Sequence, residues 1–227
     1  MEANKQKEIL RFFEGHVTPN RYQRFQEVLK ERTEYMCVVL ENIYNPQNSS
    51  AVIRSADCFG IQNVHIIEGK WEFRTHEEIT KGSSKWVNVS HHEQKEDNNR
   101  AVFRKLKEEG YRLVATSPHV ENSALKDFDV TAGKFALIMG NEMDGITDLA
   151  REEADAFIQI PMYGFTESFN LSVAASICFH HLTYKIREAG VNWQLSKSER
   201  DEILYRWFYN SISGAGELES RYWEEKV

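Results

Sequence analysis

Several signatures are missing from this sequence. No G-x-G-x-x-G follows its first apolar run, and no G-x-x-x-x-G-K-[ST] occurs. This excludes a dinucleotide fingerprint and a P-loop. There is no G-x-S-x-G nucleophile elbow either. Cysteine is scarce: Cys37, Cys58 and Cys178 lie far apart, with no C-x-x-C. Buried free thiols in a reducing cytoplasm are therefore expected. The paired histidines His91-His92 and His180-His181 are adjacent, so their side chains diverge; neither pair has metal-ligand spacing, and no metal is expected. No stretch approaches the roughly 20 apolar residues of a membrane span. The amino-terminal "MEANKQKEILRFFEGH" lacks the apolar segment of a signal peptide. These absences point to a cytoplasmic protein with no membrane partner.

Positive charge is in deficit, with 28 Lys/Arg against 35 Asp/Glu and a net charge of −7, which weighs against a nucleic-acid binder. The deficit is local. Residues 113–160 hold three of the basic and nine of the acidic residues, and the rest is nearly balanced. A basic face elsewhere stays open.

The four prolines act as punctuation. Thr18-Pro19 reads as an N-cap with proline in the first helical position. The helix it starts carries Tyr22, Phe25, Val28 and Leu29 as an apolar stripe, with Arg21 and Arg24 on one flank. Residues 1–35 form a helical extension. From residue 36 short apolar runs alternate with helical patterns. Strands are expected at "MCVVLE", "NVHIIE", "YRLVATS", "KFALIMG" and "AFIQI", and helices at 49–59, 99–110, near 145–150 and at 171–188. Near-continuous apolar strands alternating with helices define an α/β class with a mostly parallel sheet and helices on both faces. This core spans 36–190. Residues 191–227 form a second extension, with a helix at 196–209 whose Ile203, Leu204, Trp207 and Phe208 share one side. Residues 68–93 form the least regular stretch of the core, the kind of long loop that is often functional.

Three strands end alike, at Thr116-Ser117-Pro118, Gly140-Asn141-Glu142 and Pro161. Ligands of open α/β sheets bind outside the carboxyl ends of the strands, and Gly140 and Gly164 would let the backbone approach one closely. These segments are either a slot for a planar ligand or ordinary loops. Arg54, in "NSSAVIRSADCFG", is equally open. On a helix it points away from the core stripe of Val52, Ala56 and Phe59, with Ser50 and Asp57 for company. Periodicity favours a solvated Arg54–Asp57 pair; the small Ser49, Ser50 and Ala51 would leave its face open for a large partner.

Taken together, "NSSAVIR", "IMGNEMDGI" and "IPMYGFTESFNLSVAAS" resemble the three signature motifs of the SPOUT superfamily of RNA methyltransferases, within it the TrmH type. "RYQRFQEVLKERTEYMCVVLENIYNPQNSSAVIRSAD" and "KGSSKWV" extend the likeness, which covers roughly residues 20–210. The resemblance implies a Rossmann-like fold with a deep trefoil knot near the carboxyl end, which topology rules alone would disfavour. It implies S-adenosyl-L-methionine as cofactor, a homodimer, and methylation of a ribose 2′-hydroxyl, at a guanosine in the D-loop of tRNA. In the motifs, Asn48, Arg54, Glu142, Ser168 and Asn170 fall on catalytic positions. Thr116, Gly140, Ile160 and Phe169 fall on cofactor-binding ones, and Arg21, Arg24 and Lys85 on RNA-binding ones. Ser172, Ala174, Ala175 and Ser176 would permit a close helix crossing between two copies, and fit a core helix equally well. The alternatives are ribosomal RNA as substrate, or a catalytically silent RNA-binding relative. Many relatives acting on ribosomal RNA carry a separate domain ahead of the knot, whereas here residues 1–35 precede the core.

The family proposal makes Arg54 the base. Arginine's ordinary pKa is about 12.5 or more, so holding it neutral at pH 7 would cost about 7 kcal/mol. A grip on the neighbouring phosphate or on the developing alkoxide is the cheaper role.

Overall fold

The computed structural model describes residues 3–69, 80, 82–93, 97–117 and 124–226. Residues 70–79 and 81 of the irregular stretch, and Pro118, lie outside them. The chain forms two units, one of residues 33–193 and the other of residues 1–32 with 194–227.

The larger unit contains six described strands: β1 (Met36–Glu41), β2 (Asn63–Ile67), β3 (Asn88–His92), β4 (Arg112–Thr116), β5 (Phe135–Met139) and β6 (Ala156–Ile158). They form one sheet in the order β3-β2-β1-β5-β4-β6, with every pair parallel. The expected parallel α/β sheet is therefore present. Successive side chains on a strand point to opposite faces, and β1 feeds both cores. Met36, Val38 and Leu40 pack with helix α3 (Pro46–Cys58) and helix α6 (Leu171–Glu188). Cys37 and Val39 pack with α4 (Asn98–Glu108) and with Ile146 and Ala150, the latter on α5 (Asp148–Glu153). Helices thus cover both faces.

Strand β3 was not among the expected strands. It is an edge strand in which Val89 is the only aliphatic residue among asparagine, serine and histidines, so it carries no apolar alternation. Cys58 is exposed near the end of α3, contrary to the expectation of three buried thiols; it falls on the outward flank of the helix. Burial pushes the Cys178 thiol up to about 12.

The smaller unit holds α1 (Ala3–Glu14), α2 (Pro19–Leu29), α7 (Lys197–Ser211) and α8 (Ala215–Glu224). Its core is aromatic: Phe13 and Phe25 pack against Phe208, and Phe25 against Trp207. Buried Arg32 lies over the Trp207 ring at 5.5 Å. Thr18 caps α2 through a bond from the Arg21 N–H. A capping box of Ser196 and Glu199 starts α7. These caps satisfy amide groups that a helix start otherwise leaves unpaired.

Candidate active site

The carboxyl ends of β4, β5 and β6 open into a cleft of about 310 Å³, at the lower end of small-molecule sites. Thr116, Met139, Gly140, Ile158 and Ile160 line it from the strand ends. One wall is the loop 141–146, and the other is Glu167–Phe169 with Leu171 and Ala174 from the start of α6. All four residues expected to hold the cofactor, Thr116, Gly140, Ile160 and Phe169, line this cleft, as do Glu142 and Ser168. The Thr116 hydroxyl donates to the Ile138 carbonyl at 3.2 Å, so it offers the cleft its lone pairs.

The loop 141–146 is a stiff object. Asn141 and Gly145 exchange two backbone hydrogen bonds, of 3.2 and 3.1 Å. The Asn141 side-chain oxygen accepts from the amides of Met143 and Asp144, at 2.8 and 2.7 Å. This is an Asx turn. A Cβ on Gly140 would lie 2.0 Å from the Gly145 carbonyl oxygen. Gly140 therefore admits the chain's own turn, and Gly164 has nothing within 4 Å of such an atom.

The far end of the loop is tied down by Glu41, at the carboxyl end of β1. Its buried carboxylate accepts from the Thr147 N–H at 2.9 Å, from the Thr147 hydroxyl at 2.6 Å, and from the Asn99 side-chain amide. Thr147 in turn caps α5 through the Ala150 N–H. Sequence reasoning missed Glu41 and Thr147, and had Asn141 only as part of a strand end. Thr147 ahead of "DLAREE" was a readable N-cap, whereas nothing local to Glu41 marks it. Glu41→Ala would strand three part-buried donors and is expected to cost about 2–4 kcal/mol. A urea titration would check this, and a midpoint equal to wild type would refute the anchoring role.

Three motif residues meet beside this loop. The Asn48 amide donates to the Glu142 carboxylate, and the Asn170 amide donates to the Asn48 side-chain oxygen at 3.2 Å. Asn170 is the N-cap of α6, and its oxygen accepts from the Ser172 N–H and hydroxyl at 2.9 and 2.7 Å. Asn48, at the start of α3, is buried. Its amide is committed at both ends, so Asn48 and Asn170 hold Glu142 and the helix start in place.

Arg54 is exposed on α3 and does not line the cleft. Among the described residues its side chain has no ion pair or hydrogen bond, so the pair with Asp57 does not form. Ser49 and Ser50 are fully packed rather than open. Small side chains on α3 and α6 bring these helices together, with Ser55 and Ser176 oxygens 3.1 Å apart. Ala175 lies in the core. Lys85 is exposed in a short 3-10 turn, Ser83–Lys85. Arg21 and Arg24 belong to the smaller unit. Both are exposed, and Arg24 meets Glu27 at 3.4 Å.

A wholly parallel sheet with an apolar cleft at three adjacent strand ends, walled by a stiff turn and a helix start, defines an α/β enzyme that binds a small cofactor. The profile of the SpoU rRNA Methylase family matches residues 35–180, and the chain belongs to that family. A tRNA (guanosine(18)-2′-O)-methyltransferase of Borreliella burgdorferi is 33% identical over 85% of this chain and 86% of its own length. One of Aquifex aeolicus is 34% identical over 86% of this chain and 92% of its own. The crystal structure of the Aquifex aeolicus TrmH/SpoU tRNA modifying enzyme superposes with a TM-score of 0.74 at 30% identity, covering 85% of this chain and 97% of that one.

Proposed function

We propose that this protein methylates the ribose 2′-hydroxyl of guanosine 18 in tRNA, using S-adenosylmethionine. The observation that carries the reading is the junction of three distant motifs, at Asn48, Glu142 and Asn170, beside the strand-end cleft that Glu142 helps line. The relatives' activity supports the choice of RNA and nucleotide.

The cleft suits S-adenosylmethionine. Its lining of Met139, Ile146, Ile158, Ile160 and Leu171 is apolar, and strand-end backbone is within reach. When bound, the cofactor supplies an electrophilic methyl group. The chain's residues do the rest. The turn 141–146 and Phe169 shape the pocket and exclude water. Asn48 and Asn170 fix Glu142 and the start of α6. Ser168, exposed on the cleft wall, orients the ribose. Arg54 acts as a cation, using its planar fork to grip a phosphate or the developing alkoxide. The hydroxyl proton leaves late, to water.

The same proposal assigns catalysis to residues 36–190 and RNA contacts to the extension 1–35, with Lys85 adding one from the larger unit; residues 191–227 are a second helical extension. It extends to the trefoil knot and a homodimer. The exposed Val173, beside a groove that Ala51, Ser55 and Ser176 help line, supports docking of a second copy along α6. Among the described residues no helix is long and apolar enough to cross a membrane, in keeping with a cytoplasmic site of action.

The test is methylation of unmodified total RNA with labelled cofactor, followed by mapping of the modified nucleotide. Label at guanosine 18 is expected; label confined to ribosomal RNA would replace the substrate. Arg21 and Arg24 should capture RNA by its phosphates. The exposed Arg24–Glu27 pair holds Arg24 only weakly. With both changed to Ala, the slope of log affinity against log salt should flatten by about one unit per lost phosphate contact. An unchanged slope would remove both residues from the interface.

A further inference from the structure

We propose that Tyr163 and Phe165 form a stacking platform for the base of the nucleotide whose ribose enters the cleft. The inference rests on the RNA methylation reading above and adds a recognition element to it. The segment joining β6 to α6 carries both rings. They are 97% and 109% exposed, and the described structure gives neither a hydrogen bond nor a ring contact. From Pro161 to Phe169 no backbone group bonds to another among the described residues. The segment is nonetheless tied to the site at both ends, because Ile160, Met162, Glu167, Ser168 and Phe169 line the cleft.

The chemistry selects the occupant. Single exposed apolar side chains are commonplace; two unpartnered rings flanking Gly164, in a segment whose residues on either side line a cleft, are not. A ribose can reach the cleft only with its base attached, and a base drawn out of its stack needs a new face to lie on. The rim is anionic, with Glu142, Asp144 and Glu167 set against Arg151. Such a rim does not attract phosphates, whereas stacking on a ring needs no positive charge. The platform therefore recognises the flat face of a base. Phosphate capture falls to cations elsewhere.

The experiment uses the full chain with Tyr163→Ala and Phe165→Ala combined. The KM for tRNA is expected to rise about ten- to hundred-fold, the range for loss of base stacking. S-adenosylmethionine affinity and the salt slope of RNA binding should stay at wild-type values. Tyr163→Phe with Phe165→Tyr should restore the KM. A tRNA abasic at the target nucleotide should lose a similar factor with wild-type protein, and the two losses should not multiply. Losses that multiply, a KM that does not move, or a flattened salt slope would each overturn the platform. So would a change of oligomeric state by sedimentation, which would make the rings a contact between copies. Anisotropy of a labelled single-stranded RNA, read without turnover, keeps the two levels apart. If wild-type protein methylates no tRNA, the parent reading fails, while weaker RNA binding by the double variant still supports the platform and equal binding overturns it.

Discussion

Arg54→Ala is expected to lose at least about 10²-fold in turnover while folding as well as the wild type. The fold argument is local: the side chain is exposed on α3 and unpaired among the described residues. Substitutions at such positions shift stability by no more than about 0.5 kcal/mol. The catalytic argument is that a cation acting on charge that develops in the transition state is worth a factor in that range. S-adenosylmethionine affinity should stay near wild type, because Arg54 is not part of the cleft lining. Arg54→Lys keeps the charge and loses the fork, so it should remain strongly impaired if two oxygens are gripped together. Asp57→Ala is the control and should retain activity, since no ion pair joins it to Arg54. Methylation of tRNA by Arg54→Ala at a near wild-type rate, with saturating cofactor, would return Arg54 to the status of a solvated surface residue.

Gly140→Ala should abolish tight cofactor binding. The added Cβ would sit 2.0 Å from the Gly145 oxygen, 2.1 Å from its carbonyl carbon and 2.3 Å from the Ile146 nitrogen. All three are backbone atoms, so no side chain can swing aside. The turn 141–146 must open, and its residues form one wall of the cleft. Overpacking of this kind costs about 1–3 kcal/mol. Strain relieved by moving the wall should appear as a loss of S-adenosylmethionine affinity of tenfold or more in calorimetry. Gly164→Ala is the matched control: nothing lies within 4 Å of its Cβ position. It should leave affinity unchanged. Equal affinity in Gly140→Ala and wild type would show that the turn can relax without disturbing the cleft.

The strands were legible where burial on both faces demands continuous apolar runs, as in "MCVVLE" and "FALIM". β3 was not, because an edge strand tolerates polar residues on both faces. The cleft lining was legible through the motifs and their order. The tie from Glu41 to Thr147 was invisible because it joins positions 106 residues apart, and neither residue type announces a partner. Likewise the stripes on α2 and α7 read as two amphipathic helices. Only the fold packs Phe25 between Trp207 and Phe208. Ser49 and Ser50 misled in the opposite direction, since small residues serve both an open face and a tight helix crossing.

The Asn48 junction has a bearing on how the site comes into being. Its two bonds span 94 and 122 residues of sequence. No fragment holding one or two of the motifs can assemble it, and contacts so distant in sequence form only after most loop-closure entropy has been spent. The site is therefore a late product of folding and an early casualty of unfolding. During refolding from denaturant, the larger unit's helical signal should recover before methylation does. Activity that returns first would mean that the junction forms without the sheet.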